Sequence, residues 1–256
     1  ALQEQGNLTD ELSDKLQKAA TLTELEDLYR PFRPKRRTRA TVAREKGLEP
    51  LALALLMQNE TRGTAQDLAQ PYVNPEKGVE TADDALQGAR DILAEQMSDD
   101  ADVRKSLRAL AMRTGVLESK NAGEEDSVYA TYYDFSQEVR SLPAHRVLAM
   151  NRGEREGFLK VSLRLSDVDC VAVLEKAFVR PGSVTTEQVR EAAQDAWDRL
   201  LQPSIEREIR ADLTDRASAS AIQVFGKNLH QLLMAPPVKG RVTLGVDPGF
   251  RTGCKL

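Results

Sequence analysis

The sequence predicts a mainly α protein, a multi-helix body with a small β element. Three observations carry that prediction. Apolar residues recur at three- to four-residue spacing through most of the chain, as they must where a helix buries one face. Apolar and polar residues alternate, as strands require, chiefly in residues 158–165 and around Val242, Leu244 and Val246. Across 256 residues, 41% are apolar and 30% charged, which supports a sizeable core under a solvated surface and excludes a disordered chain.

Taken in order, Thr21 and Glu24 have the spacing of a capping box opening a helix on which Leu22, Leu25 and Leu28 share a face. Pro31 and Pro34 end that helix and leave an exposed, extended stretch, because proline lacks an amide and restrains the residue before it. Pro50 opens a short apolar helix, Leu51 to Met57, that reads as buried. Asn74, Pro75 and Gly78 mark a loop. Residues 81–113 carry two helical patterns, one through Leu86, Ala89 and Leu93 and one through Val103, Leu107 and Leu110, with Gly115 as the cap.

Residues 121–127 are small, acidic and glycine-containing, a loop and the best internal boundary. Pro143 opens a short helix through Leu148, after which Gly153 and Gly157 turn the chain into the strand 158–165. From Thr186 to Ala235 the helical pattern is strongest, through Trp197, Ile205, Ile209, Leu213, Ala217, Phe225, Leu229 and Leu232. Pro203 divides it, and Pro236-Pro237 ends it. A strand through Val242, Leu244 and Val246 then delivers Asp247 to a Pro-Gly turn. The division expected is 1–125, 126–238 and 239–256.

Composition narrows function. No apolar run approaches the roughly 20 residues of a membrane span, and the N-terminus lacks a signal-peptide pattern, so a cytoplasmic protein without membrane contact is expected. Cys170 and Cys254 lie far apart, and His145 and His230 sit in helical patterns without companion ligands; no disulfide framework, zinc site or cofactor is predicted. The segment from Arg152 to Gly157 lacks the glycine spacing of a phosphate loop. A net charge of −4 gives no global attraction to nucleic acid, so any such binding needs a local patch.

One patch qualifies. Arg30, Arg33, Lys35, Arg36, Arg37 and Arg39 crowd ten residues around Phe32, with Arg44 and Lys46 close behind. Guanidinium forks fit phosphate oxygens and the phenyl ring offers a stacking face. The same side chains equally suit a tether to helix carboxylates such as Glu24, Glu26 and Asp27, because ion pairing and phosphate binding use one chemistry. Both readings stand at this point. Asp247 at a strand end has the placement of a metal-binding aspartate in an RNase H-like nuclease, but two-metal cleavage needs several converging carboxylates, and one cannot supply them. No catalytic residue is assigned.

These stretches together resemble the Tex family of bacterial transcription accessory proteins. The resemblance rests on the run from Thr23 to Thr38 (TELEDLYRPFRPKRRT), on residues 43–51 (AREKGLEPL), 143–157 (PAHRVLAMNRGEREG), 221–237 (AIQVFGKNLHQLLMAPP) and 245–256 (GVDPGFRTGCKL), in that order and spacing. It departs at Arg30, where an apolar residue is expected, and through residues 128–138. Full Tex chains are similar to an N-terminal helix-turn-helix region, central helices, a YqgF/RNase H-like domain, helix-hairpin-helix elements and an S1 domain. The resemblance therefore implies an internal piece that ends in the first strand of a truncated RNase H-like (YqgF) domain. It further implies a non-catalytic helical scaffold, with RNA or DNA bound mainly through other domains, the transcription machinery or the ribosome as partners, and Asp247 as a vestigial metal ligand of the intact protein. Two other readings remain: part of a metal-dependent nuclease related to junction resolvases, or a purely protein-binding helical module.

Overall fold

The computed structural model describes residues 8–34, 36–123, 127–236, 239–249 and 253–255. It is mainly helical. In order come α1 (Asp10–Lys18), α2 (Leu22–Tyr29), α3 (Arg39–Glu45), α4 (Glu49–Met57), α5 (Ala65–Ala69), α6 (Ala82–Asp99) and α7 (Ala101–Thr114). Then follow β1 (Val116–Asn121), β2 (Asp134–Glu138), α8 (Ala144–Arg155), β3 (Leu159–Arg164), α9 (Asp167–Phe178), α10 (Thr186–Asp195) and the 32-residue α11 (Gln202–Leu233). Short strands β4 (Asp247–Gly249) and β5 (Gly253–Lys255) close the series.

Helix α6 is the axis of the body. It begins at Thr81, whose hydroxyl accepts the Asp84 amide while the Asp84 carboxylate accepts the Thr81 amide, so two orphan donors are satisfied reciprocally. Its Ala85, Leu86, Ala89, Ile92, Leu93 and Met97 are buried against α3, α4, α5 and α10. One core runs from Ala40 on α3 to Ala217 on α11. Trp197 is fully buried in it, with its indole N–H donated to Asp167 at 2.9 Å. Residues 196–201 form a π-helical turn and Pro203 follows in the first turn of α11, so the break foreseen at this proline is a widened turn just before it.

β1 is the central strand of an antiparallel sheet ordered β2-β1-β3. Leu117, Leu159 and Val161 on its inner face pack with Tyr129 and with Met150 of α8. Neither β1, β2 nor α9 is expected from the sequence pattern. The helix after Pro143 is also longer than that pattern suggests: α8 continues to Arg155, and Gly153 lies inside it. A Cβ on Gly153 would approach Leu159 Cδ1 to 2.6 Å, so glycine here permits close packing of helix on strand rather than a turn. The turn falls at Gly157, whose φ is +84°.

Two further expectations change. Residues 242–246 are not a strand, and Val242, Leu244 and Val246 are exposed; the extended pairing begins at Asp247. On α2, Leu22 and Leu25 are exposed, and the buried residue is Asp27. Among the described residues no helix is long and apolar enough to cross a membrane.

Candidate nucleic-acid interface

The basic run starts where α2 ends. Pro31 turns residues Arg30–Phe32 into a single 3₁₀ turn, and Thr38 caps α3, its hydroxyl accepting the Thr41 amide at 3.1 Å and donating to Glu95 at 2.9 Å. The run is thus fixed to α6 near both of its ends, because Arg30 also donates to Asp99 at 3.2 Å.

The receiving surface is a ladder of carboxylates on α6. Asp91, Glu95 and Asp99 are spaced four residues apart on one side of the helix and are each at most 9% exposed. Like charges so placed repel, and burial removes the water that would screen them. Cations are interleaved accordingly: Arg199 lies 3.3 Å from Asp91, Arg44 lies 2.8 Å from Glu95, and Arg30 faces Asp99. Burial pushes the Asp91 carboxyl above its ordinary range, and the opposing Arg199 charge does not cancel it. The Arg199 guanidinium is raised in turn, chiefly by its hydrogen bond to Asp195.

The remaining members of the run face outward. Arg33, Arg36 and Arg39 are exposed and form no ion pair with a described residue, while Arg37 meets Glu45 at 3.0 Å on the surface. A pair so exposed contributes little and exchanges readily. Lys35 lies outside the described residues. Phe32 is half-buried in the 3₁₀ turn.

Glu24, Glu26 and Asp27 are not the partners of the run. Glu24 pairs with Lys105 at 2.8 Å, and Asp27 pairs with Arg104 and Arg108. Arg104 is fully buried. It donates to Asp27 at 2.9 Å, to Ser204 at 3.0 Å, to the Ser98 carbonyl at 3.2 Å, and to Glu208. Arg108 joins the same two carboxylates; burial alone would lower it, but Asp27 and Glu208 hold it above its ordinary value. This network, which no sequence pattern announces, joins α2, α7 and α11.

Above it opens a cleft of about 1140 Å³ between α2, α6, α7 and α11. Arg33 lies on the ridge between this cleft and a second of about 920 Å³ over α3, α4 and α6. The larger cleft is lined by the carboxylates of Glu26, Asp212 and Asp215 and also by cations, Arg33 and the exposed Arg207 among them.

Asp247 is exposed, and its strand pairs with β5, opposite Lys255. Among the described residues no group of three His, Cys, Asp or Glu side chains is placed to hold a metal ion. His145 and His230 are both exposed.

A family model described as Tex central region-like matches residues 60–225. The chain is similar to an uncharacterized protein, YdcI, of Bacillus subtilis, at 44% identity over 99% of this chain and 36% of the relative. It is similar to Protein tex of Bordetella pertussis at 40% identity, over 100% of this chain and 34% of the relative. Transcriptional accessory protein Tex of Neisseria gonorrhoeae is 36% identical over 100% of this chain and 34% of its own length. The chain thus spans about a third of the length of these relatives.

Proposed function

The chain belongs to the Tex family, and from that premise we propose that it is a non-catalytic helical scaffold of a nucleic-acid-binding transcription accessory protein, contributing a phosphate-contacting rim. One observation carries this reading. Arg33, Arg36 and Arg39 lie exposed on a segment whose neighbours Arg30 and Thr38 are anchored to buried carboxylates, and none of the three is ion-paired with a described residue. Presenting charge from a fixed loop limits the entropy lost when a phosphate is bound. Lys35 is proposed as a further phosphate contact from the sequence alone, and Arg37 adds to the rim when its surface pair with Glu45 opens.

Arg30 serves the scaffold in this reading, and Phe32, half-buried, positions the turn more than it stacks on bases. The rim contacts backbone and not bases, which gives affinity without sequence choice. Titration of the chain on single-stranded RNA and on duplex DNA at two salt concentrations tests the proposal. Binding that weakens steeply with salt is expected for either nucleic acid, because phosphate contacts release counterions. Undetectable binding at low salt refutes it.

A further inference from the structure

The two edges of the small sheet are treated differently. At the end of β1, the amide of Asn121 bonds to Tyr133 and the amide of the next residue, Ala122, to Phe158, which fixes the phase of both ladders. On β3, the main-chain groups of Val161 and Leu163 consequently face away from β1, and side chains occupy them. Val161 N–H donates to Glu154 at 3.2 Å, Val161 C=O accepts from Arg210 at 3.2 Å, and Leu163 N–H donates to Glu206 at 3.0 Å. Glu154 and Arg210 are themselves ion-paired, so a carboxylate and a guanidinium from α8 and α11 take the place of a fourth strand.

On β2, Asp134, Ser136 and Glu138 are the residues whose main chain faces away from β1. Ser136 has no main-chain hydrogen bond there with any described residue, and the Glu138 carbonyl receives a 3.2 Å hydrogen bond from Ser141. This edge is open. Its outer-face side chains, Asp134, Ser136 and Glu138, are exposed and include two carboxylates. The inner face has a different chemistry. Phe135 is half-buried, with Tyr132 edge-on at 5.5 Å and the Arg146 guanidinium 5.3 Å from its ring centre.

We propose that the β2 edge accepts an extended peptide as an added strand, with basic residues at alternate positions on the outer face and apolar residues between them beside Phe135. The main chain supplies affinity and the alternating side chains supply selectivity. Charge decides the occupant. A basic side chain directly across from Asp134 or Glu138 attracts, whereas the β2 edge of a second copy, paired antiparallel with Ser136 opposite Ser136, would set Asp134 against Glu138. The surface pair of Glu138 with Arg140 at 2.7 Å gives way readily, since both partners are exposed. Peptide capture at this edge is independent of nucleic-acid binding and does not use the basic run.

The test uses a fluorescently labelled peptide of alternating lysine and valine, titrated against the chain and followed by anisotropy, with an alternating glutamate and valine peptide as comparison. Saturable binding of the lysine peptide is expected, and the glutamate peptide should bind at least about tenfold more weakly. Ser136→Pro removes the outward amide and leaves the bonds of Phe135 and Gln137 to β1 intact, so binding should weaken at least about tenfold at unchanged thermal stability. Should that variant unfold, Asp134→Lys combined with Glu138→Lys replaces it, and the preference should reverse toward the glutamate peptide. The proposal is overturned if the lysine peptide shows no saturable binding, if a folded Ser136→Pro protein binds it as well as the parent, or if charge reversal leaves the preference unchanged.

Discussion

Arg104 and Asp27 are held 2.9 Å apart with the guanidinium fully buried and the carboxylate almost so, although 77 residues separate them in sequence. Through this pair, α2, which leads into the basic run, is joined to α7, and Glu208 extends the junction to α11. Burying charges costs free energy that is recovered when every donor and acceptor is satisfied, and here Ser98, Ser204 and Arg108 complete the set.

Breaking that set should be severe. Replacing Arg104 by methionine leaves Arg108 as the one cation among the described residues that pairs with Asp27 and Glu208, and a loss of about 3–5 kcal/mol in denaturant unfolding is expected. A double-mutant cycle with Asp27→Asn should show strong coupling between the two sites. Additive losses would mean that the pair is not a unit.

Gln58 is buried in the left-handed region, with φ of +50°, and its amide joins the end of α4 to the segment after α9. The side chain donates to the Phe178 carbonyl and accepts the Arg180 amide, both at 2.8 Å. Gln58→Ala should cost about 1–3 kcal/mol, since both main-chain groups lose a partner. Gln58→Gly should be milder by up to about 1 kcal/mol, because glycine adopts positive φ without a Cβ penalty. Thermal unfolding of the two variants decides the order.

Asp91 provides a pH signature. Its folded-state value is raised by burial, so the folded chain takes up a proton that the unfolded chain still lacks; between the two values this group makes stability fall as pH rises and increase as pH falls. Asp91→Asn removes that acid-side gain. The variant should therefore lose more stability than the parent on acidification from neutrality toward the ordinary carboxylate range, measured by urea unfolding at a series of pH values. Parallel stability curves for the two proteins would contradict the assignment.

Much of the helical body is legible in the sequence because its faces are regular. Leu86, Ala89 and Leu93 mark α6, Val103 and Leu107 mark α7, and each set is buried as its spacing requires. β1 is not legible because Ser119, a polar residue, occupies a buried inward position and interrupts the apolar alternation. α9 does carry a readable start in Ser166, whose hydroxyl accepts the Asp169 amide. Periodicity also reports a face without reporting what covers it. Ile222, Phe225 and Leu232 continue the α11 pattern beyond Ala217, and all three are exposed.

The candidate site is half legible. The crowded cations stand out in the sequence, but the carboxylates that tether them do not, because Glu95 and Asp99 lie more than fifty residues from Arg44 and Arg30 and read as an ordinary solvated helix face. Arg104 is hidden for the same reason.

The central claim is that the basic run is divided between anchoring and presented cations. The direct measurement compares two variants, Arg30→Gln and the triple substitution of Arg33, Arg36 and Arg39 by glutamine, in thermal unfolding and in the salt dependence of RNA binding. The triple variant should keep its thermal stability and lower the slope of log affinity against log salt by roughly 0.7 for each phosphate of a single strand that is no longer neutralised. Arg30→Gln should lose stability by removing its own bond to Asp99, with the slope nearly unchanged. A triple variant that melts early while retaining the parental slope would contradict the division.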